Sequence, residues 1–441
     1  MKKSSAVLFK TSLVALSVAA ASSAYAAGFA LNDHSATASG TALAGAAASK
    51  SDISFSFWNP ALFTNAKQTT FYASGAYVMP SMDVTVDSAT DATPNVPQKG
   101  LNGPVDLGNK VSGDSVNNTL VPSFYFAKPL SDKTVAGISL NVPFGLSGDD
   151  DQDWAGRFHA TETAVQDIAL SFALAHRVND WASVGASVQV HKAEIVLESA
   201  VGFTGREGIG RIEADDTAVG YSFGAMLEPV KGTRVGLGYR SEVDYDFEGD
   251  VNYTDVAGLN AALTSFGRPN LVNTSLSDSV TMPSVMTLSL EHDLSNKLTF
   301  GLSAIRTGWS SLDGLNIDFD STQDNSVLTF GFEDQWMYSA GLTYVYSDKL
   351  TLRSGVAMDS SPVTDEYRSA RTPDGDRKWL SVGATYDFND MTSATVAFTH
   401  VKIDDVSVNR TNLPEDSARG TLKSDYESSA NVISVAMNMA F

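Results

Sequence analysis

The last eleven residues, Asn431-Val-Ile-Ser-Val-Ala-Met-Asn-Met-Ala-Phe441, decide the fold class. One parity of this stretch is apolar and the other is small or polar, and a β-strand places these two sets on opposite faces. A chain that ends on an aromatic residue within such a strand resembles the terminal strand that the outer-membrane assembly machinery recognises. The same pattern also fits an edge strand of a soluble sheet. The apolar positions are Ile433, Val435, Met437, Met439 and Phe441.

The other end of the chain favours export. Lys2 and Lys3 precede a stretch of mostly apolar or small residues from 6 to 21, and Ala24-Tyr-Ala26 follows as a cleavage pattern. This apolar core is short for a membrane-spanning helix, which needs about 20 residues. The sequence therefore predicts a signal peptide over residues 1–26, a mature chain that begins at Ala27, and an outer-membrane β-barrel rather than a soluble sheet.

Composition excludes several classes of function. The chain has no cysteine, so neither disulfides nor thiolate metal sites are available. It carries 30 basic and 51 acidic residues, and three of the lysines lie in the signal segment. The mature net charge is then 27 − 51 = −24, which argues against nucleic-acid binding. Acid-rich loops explain this charge, and divalent cations that bridge the loops to lipopolysaccharide remain an option.

Short turns alternate with long polar connections, as in membrane barrels. Turns such as Val178-Asn-Asp180 and Leu294-Ser-Asn296 each lie between two alternating strands. The sequence predicts an all-β fold, a transmembrane barrel of fourteen antiparallel strands that spans residues 67–441. The predicted strands are 68–79, 119–129, 134–144, 166–177, 182–196, 217–228, 234–247, 281–292, 298–308, 335–346, 350–358, 377–387, 392–402 and 430–441.

Parity assigns the faces of these strands. The alternation over residues 235–247 of the seventh strand predicts that Val243, Tyr245 and Phe247 face lipid. Arg240 and Asp244 would then face the lumen or rim. A charge on the lipid face near mid-membrane costs a few kcal/mol, so the charges should share the inner parity.

Two features do not fit an open pore. Residues 27–66 precede the first strand and contain Leu31, Ile53 and Trp58, which disordered tails usually lack. A barrel of fourteen strands is wide enough to need filling, so this segment is predicted to be a small N-terminal hatch that plugs the lumen. In the third strand, Pro143 cannot donate to a sheet ladder and Gly145 weakens it, which predicts a break in pairing there.

Several motifs, in order, resemble the FadL family of outer-membrane transporters for long-chain fatty acids and hydrocarbons, over the whole mature chain. Each motif alone is weakly specific, and the ordered set is specific. They are Ala27-Gly-Phe-Ala-Leu-Asn32, Asn59-Pro60-Ala61, Asn141-Val-Pro-Phe-Gly-Leu146, Trp154-Ala-Gly-Arg-Phe-His159, Tyr239-Arg-Ser-Glu-Val243, Asp359-Ser-Ser-Pro-Val363 and Pro373-Asp-Gly-Asp-Arg-Lys-Trp379.

The resemblance implies passive uptake of hydrophobic compounds. Ligand would land in an apolar groove among the outer loops, pass to an interior pocket and leave sideways through the wall into the membrane. The gate would comprise Asn59, Pro60 and Ala61 of the hatch, with Asn141, Pro143 and Gly145 of the kinked third strand. The implied partners are a long-chain fatty acid or hydrocarbon, membrane lipid and lipopolysaccharide, and the assembly machinery. A monomer without cofactor is expected.

Candidate ligand contacts depend on the ligand. A carboxylate should meet a cation, for which Arg157 is the first choice and Arg240 follows, ahead of Arg353 and Lys378. An alkane or aromatic hydrocarbon would need none. The groove would be lined by Phe144, Leu146, Trp154 and Phe158, and residues 255–266 are predicted to form a short helix above it.

Other classes of protein find less support. None of the six histidines has a metal-ligand spacing, so the sequence predicts no enzyme. A general diffusion porin conflicts with the predicted hatch.

Overall fold

Alternating apolar and polar residues produce the fourteen wall strands of a closed antiparallel barrel, seen in a computed structural model that describes residues 28–113 and 115–441. The predicted signal peptide lies outside these residues. Two strands are each interrupted once, and their two segments are both given. The strands are β1 Thr70–Thr90, β2 Thr119–Pro129, β3 Thr134–Asp149, β4 Glu162–Asn179, β5 Ala182–Phe203, β6 Arg206–Val230, β7 Thr233–Arg240 with Val243–Thr254, β8 Thr274–Met282 with Val285–Asp293, β9 Leu298–Thr307, β10 Gln335–Ser347, β11 Leu350–Asp359, β12 Arg377–Asn389, β13 Thr392–Ile403 and β14 Thr421–Ala440.

The sheet closes on itself through β1. This strand pairs with β14 from Thr70↔Ala440 to Thr90↔Thr421, and on its other side with β2. The terminal strand is therefore no edge strand, because β14 also pairs with β13. The predicted number of fourteen strands is confirmed.

The outer surface of the wall is apolar. Phe172 and Leu174 of β4 and Val435 of β14 are 51%, 54% and 55% exposed, whereas Ser434 of β14 is buried on the inner side. This confirms the predicted alternation of the last strand, and β4 follows the same pattern. A surface of exposed leucine, valine and phenylalanine suits a lipid environment, since lipid takes the place of a protein core.

Among the helices within the described residues, none has the length and apolar character that a membrane span requires.

The predicted faces of the seventh strand are correct below its interruption and wrong above it. Arg240 faces inward as predicted, but Tyr245 and Phe247 are buried inside while Asp244 and Asp246 are exposed outside. The pair Ser241-Glu242 belongs to neither strand segment, and the parity inverts across it. The exposed carboxylates indicate that β7 leaves the hydrocarbon layer along its outer segment, with Asp244 and Asp246 at the outer margin of that layer, where charge is tolerated.

Much of the predicted loop sequence is strand. β1 continues to Thr90, and β5 with β6 extends outward to a tight turn in which Thr204 and Gly205 have φ of 58° and 71°. These extensions rise above the membrane, so they lack the lipid-facing alternation that identifies a barrel strand in sequence.

Shorter elements lie in the hatch and the loops. The predicted loop helix is present as Ala257–Ser265. The helices are α1 Ala36–Ser39, α2 Ala257–Ser265 and α3 Asp416–Arg419, with 3-10 turns at Ile53–Phe57, Pro60–Asn65, Pro97–Lys99 and Trp309–Ser311. The additional short strands are Asn95–Val96, Leu101–Asn102, Gly314–Phe319, Ser326–Thr329 and Val406–Arg410.

Residues 28–66 lie inside the barrel, mostly buried against its inner wall. Wall glycines allow this close approach. A Cβ on Gly238 would lie 1.7 Å from the carbonyl oxygen of Trp58, and one on Gly224 would lie 1.9 Å from Asn59 Oδ1. The backbone of this segment therefore contacts the wall at glycine positions, where no wall side chain separates the two.

Candidate functional site

A cavity of about 580 Å³ lies among the outer loops. Its apolar lining comes from the outward extensions of β5 and β6, from α2 and from the loops around it. Leu259 and Leu263 of α2 cover one side, as the sequence predicts for a roof helix. The apolar residues around the cavity include Phe158, Leu197, Val201, Phe203, Ile212, Phe319 and Leu328. We call this cavity the groove.

Arginines give the groove a basic side. Arg371 comes from the loop before β12 and Arg419 from α3, and both line the cavity. Arg371 donates to the carbonyl oxygens of Glu162 and Glu198 at 2.7 and 2.9 Å and to a hydroxyl, and its Nε has no hydrogen-bond partner. Burial and the neighbouring Arg419 lower the pKa of Arg371 to about 9. The three hydrogen bonds that Arg371 donates all go to uncharged oxygens.

The carboxylate of Glu415 beside the groove is held by a different arginine. Glu415 lines the cavity, but its Oε1 accepts from Arg410 Nη2 at 3.0 Å. Arg419 donates to the carbonyl oxygen of Val327 at 2.6 Å. A third guanidinium, that of Arg268, lies 4.8 Å from the ring centroid of Phe203. An anionic head group would find donors here that the protein leaves available.

Arg371 also borders a second, smaller cavity of about 40 Å³ next to the hatch. Gly28, Leu146 and Asp150 share its lining, and Gly28 N donates to Asp374 Oδ2 at 3.0 Å. Burial raises the pKa of Asp150 to about 7. The guanidinium of Arg371 thus lines both cavities.

An aromatic cluster fills the lumen below that point. Phe29 of the hatch lies with its ring centroid 4.7 Å from that of Trp309, and Phe144 of β3 lies 5.9 Å from the same ring. The ring centroid of Phe332 lies 5.7 Å from that of Trp309, and all four side chains are buried. Leu146 packs against this cluster, so Phe144 and Leu146 line the interior rather than the outer groove.

The break predicted at Pro143 is present in β3. Its pairing with β4 shifts by one residue between Asn141↔Ala169 and Phe144↔Asp167. On its other side, the β2 ladder ends at Phe124↔Leu140, which leaves a gap in the wall beyond that pair. Such a β-bulge bends the strand and ends regular pairing.

The start of the hatch covers this bulge. Leu31 N donates to the carbonyl oxygen of Pro143 and Gly145 N donates to that of Phe29, both at 2.8 Å. Asn141 Nδ2 donates to Tyr125 Oη at 2.7 Å, which in turn donates to the carbonyl oxygen of His34. These bonds fasten the start of the hatch to the wall at the bulge.

The motif Asn59-Pro60-Ala61 lies against a different part of the wall. Asn59 Nδ2 donates to the carbonyl oxygens of Ala47 and Ala225 at 2.7 and 2.9 Å, and Asn59 Oδ1 accepts from Ala61 N. The bond to Ala225 fixes the turn Pro60–Asn65 on β6, and Thr64 Oγ1 donates to Ser183 Oγ of β5 at 3.2 Å. The motif anchors the hatch, and residues 29–31 are the ones that contact the bulge.

The predicted contacts in the loop after β3 have separate positions. Phe158 lines the groove, whereas Trp154 is buried in a loop core with its Nε1 donating to the carbonyl oxygen of Ala160. Arg157 holds Glu207 in a bidentate ion pair at 2.7 and 2.9 Å. Its guanidinium is thus already engaged by a carboxylate.

The other predicted cations are also engaged. Arg240 lies under the hatch, where it donates to Gln189 Oε1 and to the carbonyl oxygen of Phe57 and stacks on the Phe57 ring. Lys378 forms an exposed pair with Asp404, and Arg353 donates to Thr385. Sequence reasoning missed Arg371 and Arg419, because each lies in a long loop without periodicity. Arg371 lies two residues before the family-like segment 373–379, which was the available signal.

The comparisons agree with this architecture. The model of a protein family described as "Outer membrane protein transport protein (OMPP1/FadL/TodX)" matches residues 17–441. A long-chain fatty acid transport protein of Escherichia coli O6:H1 is 30% identical, over 89% of this chain and 91% of the relative. Outer membrane protein P1 of Haemophilus influenzae is 29% identical, over 91% of each chain.

Solved structures show the same fold. A Pseudomonas aeruginosa FadL homologue superposes with a TM-score of 0.85 at 24% identity, covering 94% of this chain and 100% of that chain. The Pseudomonas putida toluene transporter TodX gives a TM-score of 0.64 at 16% identity, covering 94% of this chain and 100% of that chain. The extent of the family match and the relative at 30% identity establish the assignment. The chain is an outer-membrane transport protein rather than an enzyme, and it belongs to the OMPP1/FadL/TodX family.

Proposed function

We propose that this protein takes up long-chain fatty acids across the outer membrane by passive diffusion. The observation that carries the proposal is the groove, which combines an apolar lining with Arg371 and Arg419. An alkyl chain gains about 0.8 kcal/mol for each buried CH₂, and a guanidinium forms strong charge-assisted bonds with a carboxylate. Relatives named for long-chain fatty acid transport support the same ligand class.

From the groove, the ligand moves past Arg371 into the small cavity beside Gly28 and Leu146. It then displaces Phe29 from the aromatic cluster, and residues 29–31 leave the β3 bulge. The alkyl chain leaves through the gap between β2 and β3 into the membrane. This route keeps the apolar chain out of water at every step.

Uncharged hydrocarbons are the second candidate ligand. The cluster of Phe29, Phe144, Trp309 and Phe332 offers edge-to-face ring packing, which suits aromatic ligands and requires no charge on them. Solved relatives include toluene transporters.

The two candidates are separated by binding measurements on the purified barrel. Arg419→Gln removes a groove cation that makes few other contacts, and palmitate affinity should fall about tenfold while hexadecane affinity stays unchanged. Arg371→Lys should also weaken palmitate binding, since a point charge replaces the planar guanidinium.

Arg157→Gln serves as the matched control, because Arg157 already pairs with Glu207. It should leave palmitate affinity unchanged. An equal loss of affinity for palmitate and for hexadecane in Arg419→Gln would contradict a carboxylate site at Arg371 and Arg419. A loss of palmitate affinity confined to Arg157→Gln would contradict it as well.

A further inference from the structure

The wall has a second interruption, between β6 and β7. Below it, pairing runs from Leu227↔Val235 to Ser222↔Arg240, and above it from Glu248↔Asp215 outward. The pairing register shifts by one residue between these two ladders, as it does at the β3 bulge. Between the two ladders, residues 216–221 of β6 and 241–247 of β7 form no regular ladder.

A few hydrogen bonds join the two strands at the ends of this slot. At the lower end, Ser241 N donates to the carbonyl oxygen of Tyr221 at 2.9 Å. Ser241 Oγ accepts from Tyr221 N at 3.0 Å at the lower end. Asp216 Oδ2 accepts from Asp246 N at 2.9 Å at the upper end. The slot is therefore closed by one backbone hydrogen bond and a few side-chain contacts instead of a continuous strand pair.

The wall is thin at the centre of the slot. Gly220 contributes no side chain, and a Cβ there would lie 3.1 Å from Val243 Cγ2 and 3.2 Å from His191 Nε2. Outside, Val219 and Tyr221 are 66% and 47% exposed and belong to the apolar belt. Inside, Val243 is part of the cluster that contains Phe144 and Trp309.

A buried polar triad lies directly behind the slot. Tyr245 Oη donates to Asp167 Oδ1 at 3.1 Å, and His191 Nδ1 lies 3.0 Å from Asp167 Oδ2. Asp167 and His191 have no solvent exposure. The triad joins β4 and β5 to β7 on the lumen side. It therefore holds the β7 edge of the slot in place. Asp167 also pairs directly opposite Phe144 of the β3 bulge.

We propose that the slot between β6 and β7 is a second lateral port, that Tyr245 and Asp167 keep it shut, and that it admits uncharged hydrophobic compounds. It joins the interior aromatic cluster to the lipid-facing surface. Its outer rim carries the exposed carboxylates of Glu242, Asp244 and Asp246, which repel fatty acid anions. The port thus differs from the proposed β2–β3 exit in its position and in the charge it tolerates.

The first test needs no ligand, so its result is independent of the proposed function. The chain has no cysteine, which allows a single thiol at Val243→Cys, a position 2% exposed on the slot. Adding Tyr245→Phe removes the latch hydroxyl but keeps the ring. Thiol labelling by a maleimide in lipid nanodiscs should become about tenfold faster.

The control thiol is Val432→Cys on β14, 3% exposed and outside the slot, whose labelling rate Tyr245→Phe should leave unchanged. Asp167→Asn, which weakens the same bond from the other side, should also accelerate labelling at Val243→Cys. An unchanged labelling rate at Val243→Cys in either variant, or an equal rise in rate at Val432→Cys, would contradict the claim that Tyr245 and Asp167 keep the slot shut.

The second test measures flux in liposomes. The β3 bulge is locked by a disulfide between Ala30→Cys and Phe144→Cys, and Tyr245→Phe is added. Hexadecane flux should rise about tenfold over the locked parent while palmitate flux stays at the locked level. An equal rise in palmitate flux, or no rise in hexadecane flux, would overturn the second port. Full palmitate flux in the locked parent would instead refute the β2–β3 exit alone.

Discussion

Charge decides which arginine can meet a ligand, and single residues show how. Arg157 lies in a motif that the sequence analysis singled out, yet Glu207 occupies it. Arg371 lies outside every motif, and its Nε remains without a partner. The local sequence around Arg157 gives no sign of Glu207, which is 50 residues away, because β5 and β6 bring the two together only in the folded barrel.

We expect carboxylate binding to depend on pH because of Asp150. Burial raises its pKa to about 7, and Arg371 is among the charges that act on it. Below this pH the carboxyl is neutral and Arg371 is free to hold an anion, whereas above it the ionised carboxylate competes for Arg371. Affinity for octanoate, which stays ionised throughout, should therefore fall several-fold between about pH 6 and pH 8.

Isothermal titration at a series of pH values checks this prediction. Asp150→Asn should bind octanoate with nearly constant affinity over that range, close to the low-pH affinity of the unmodified protein. A pH slope that persists in Asp150→Asn would assign the titration to another group.

At the scale of elements, the short pairing between the hatch and β3 controls the proposed exit. The bonds Leu31 N to Pro143 O and Gly145 N to Phe29 O flank the bridge Ala30↔Phe144. This pattern makes residues 30 and 144 a non-hydrogen-bonded antiparallel pair, whose Cα atoms approach to about 4.5 Å. That spacing is within the range a disulfide accepts.

Ala30→Cys with Phe144→Cys should therefore form a disulfide that fixes the hatch to the bulge. Palmitate uptake by cells should fall to the level of cells without the protein, and reduction should restore it. The reduced double variant is the matched control, since it differs only in the crosslink. Undiminished uptake in the oxidised form would show that ligand does not leave beside residues 29–31.

The whole molecule is a barrel closed by its own N-terminal segment. Residues 28–66 fill the lumen and contact strands all around the wall, with their backbone close to wall glycines. A fourteen-stranded barrel without this filling is wide enough to conduct water and ions. Deletion of residues 28–66 should raise single-channel conductance in planar bilayers several-fold.

Folding of the deletion variant is checked by its circular dichroism and by the heat-modifiable migration of intact barrels in gels. A folded variant with the conductance of the full chain would mean that residues 28–66 do not block the lumen.

The sequence by itself determined the barrel. Lipid contact requires alternate apolar residues, tight turns require their own residue types, and both signals are local, so fourteen strands could be counted from the chain. Pro143 and Gly145 likewise revealed the β3 break, because their backbone chemistry disrupts pairing wherever they occur. Only the tertiary structure decided the rest. The inversion at Ser241-Glu242, the pairing of Arg157 with Glu207, and the meeting of Arg371 with Arg419 depend on contacts between residues distant in the chain, which no local periodicity records.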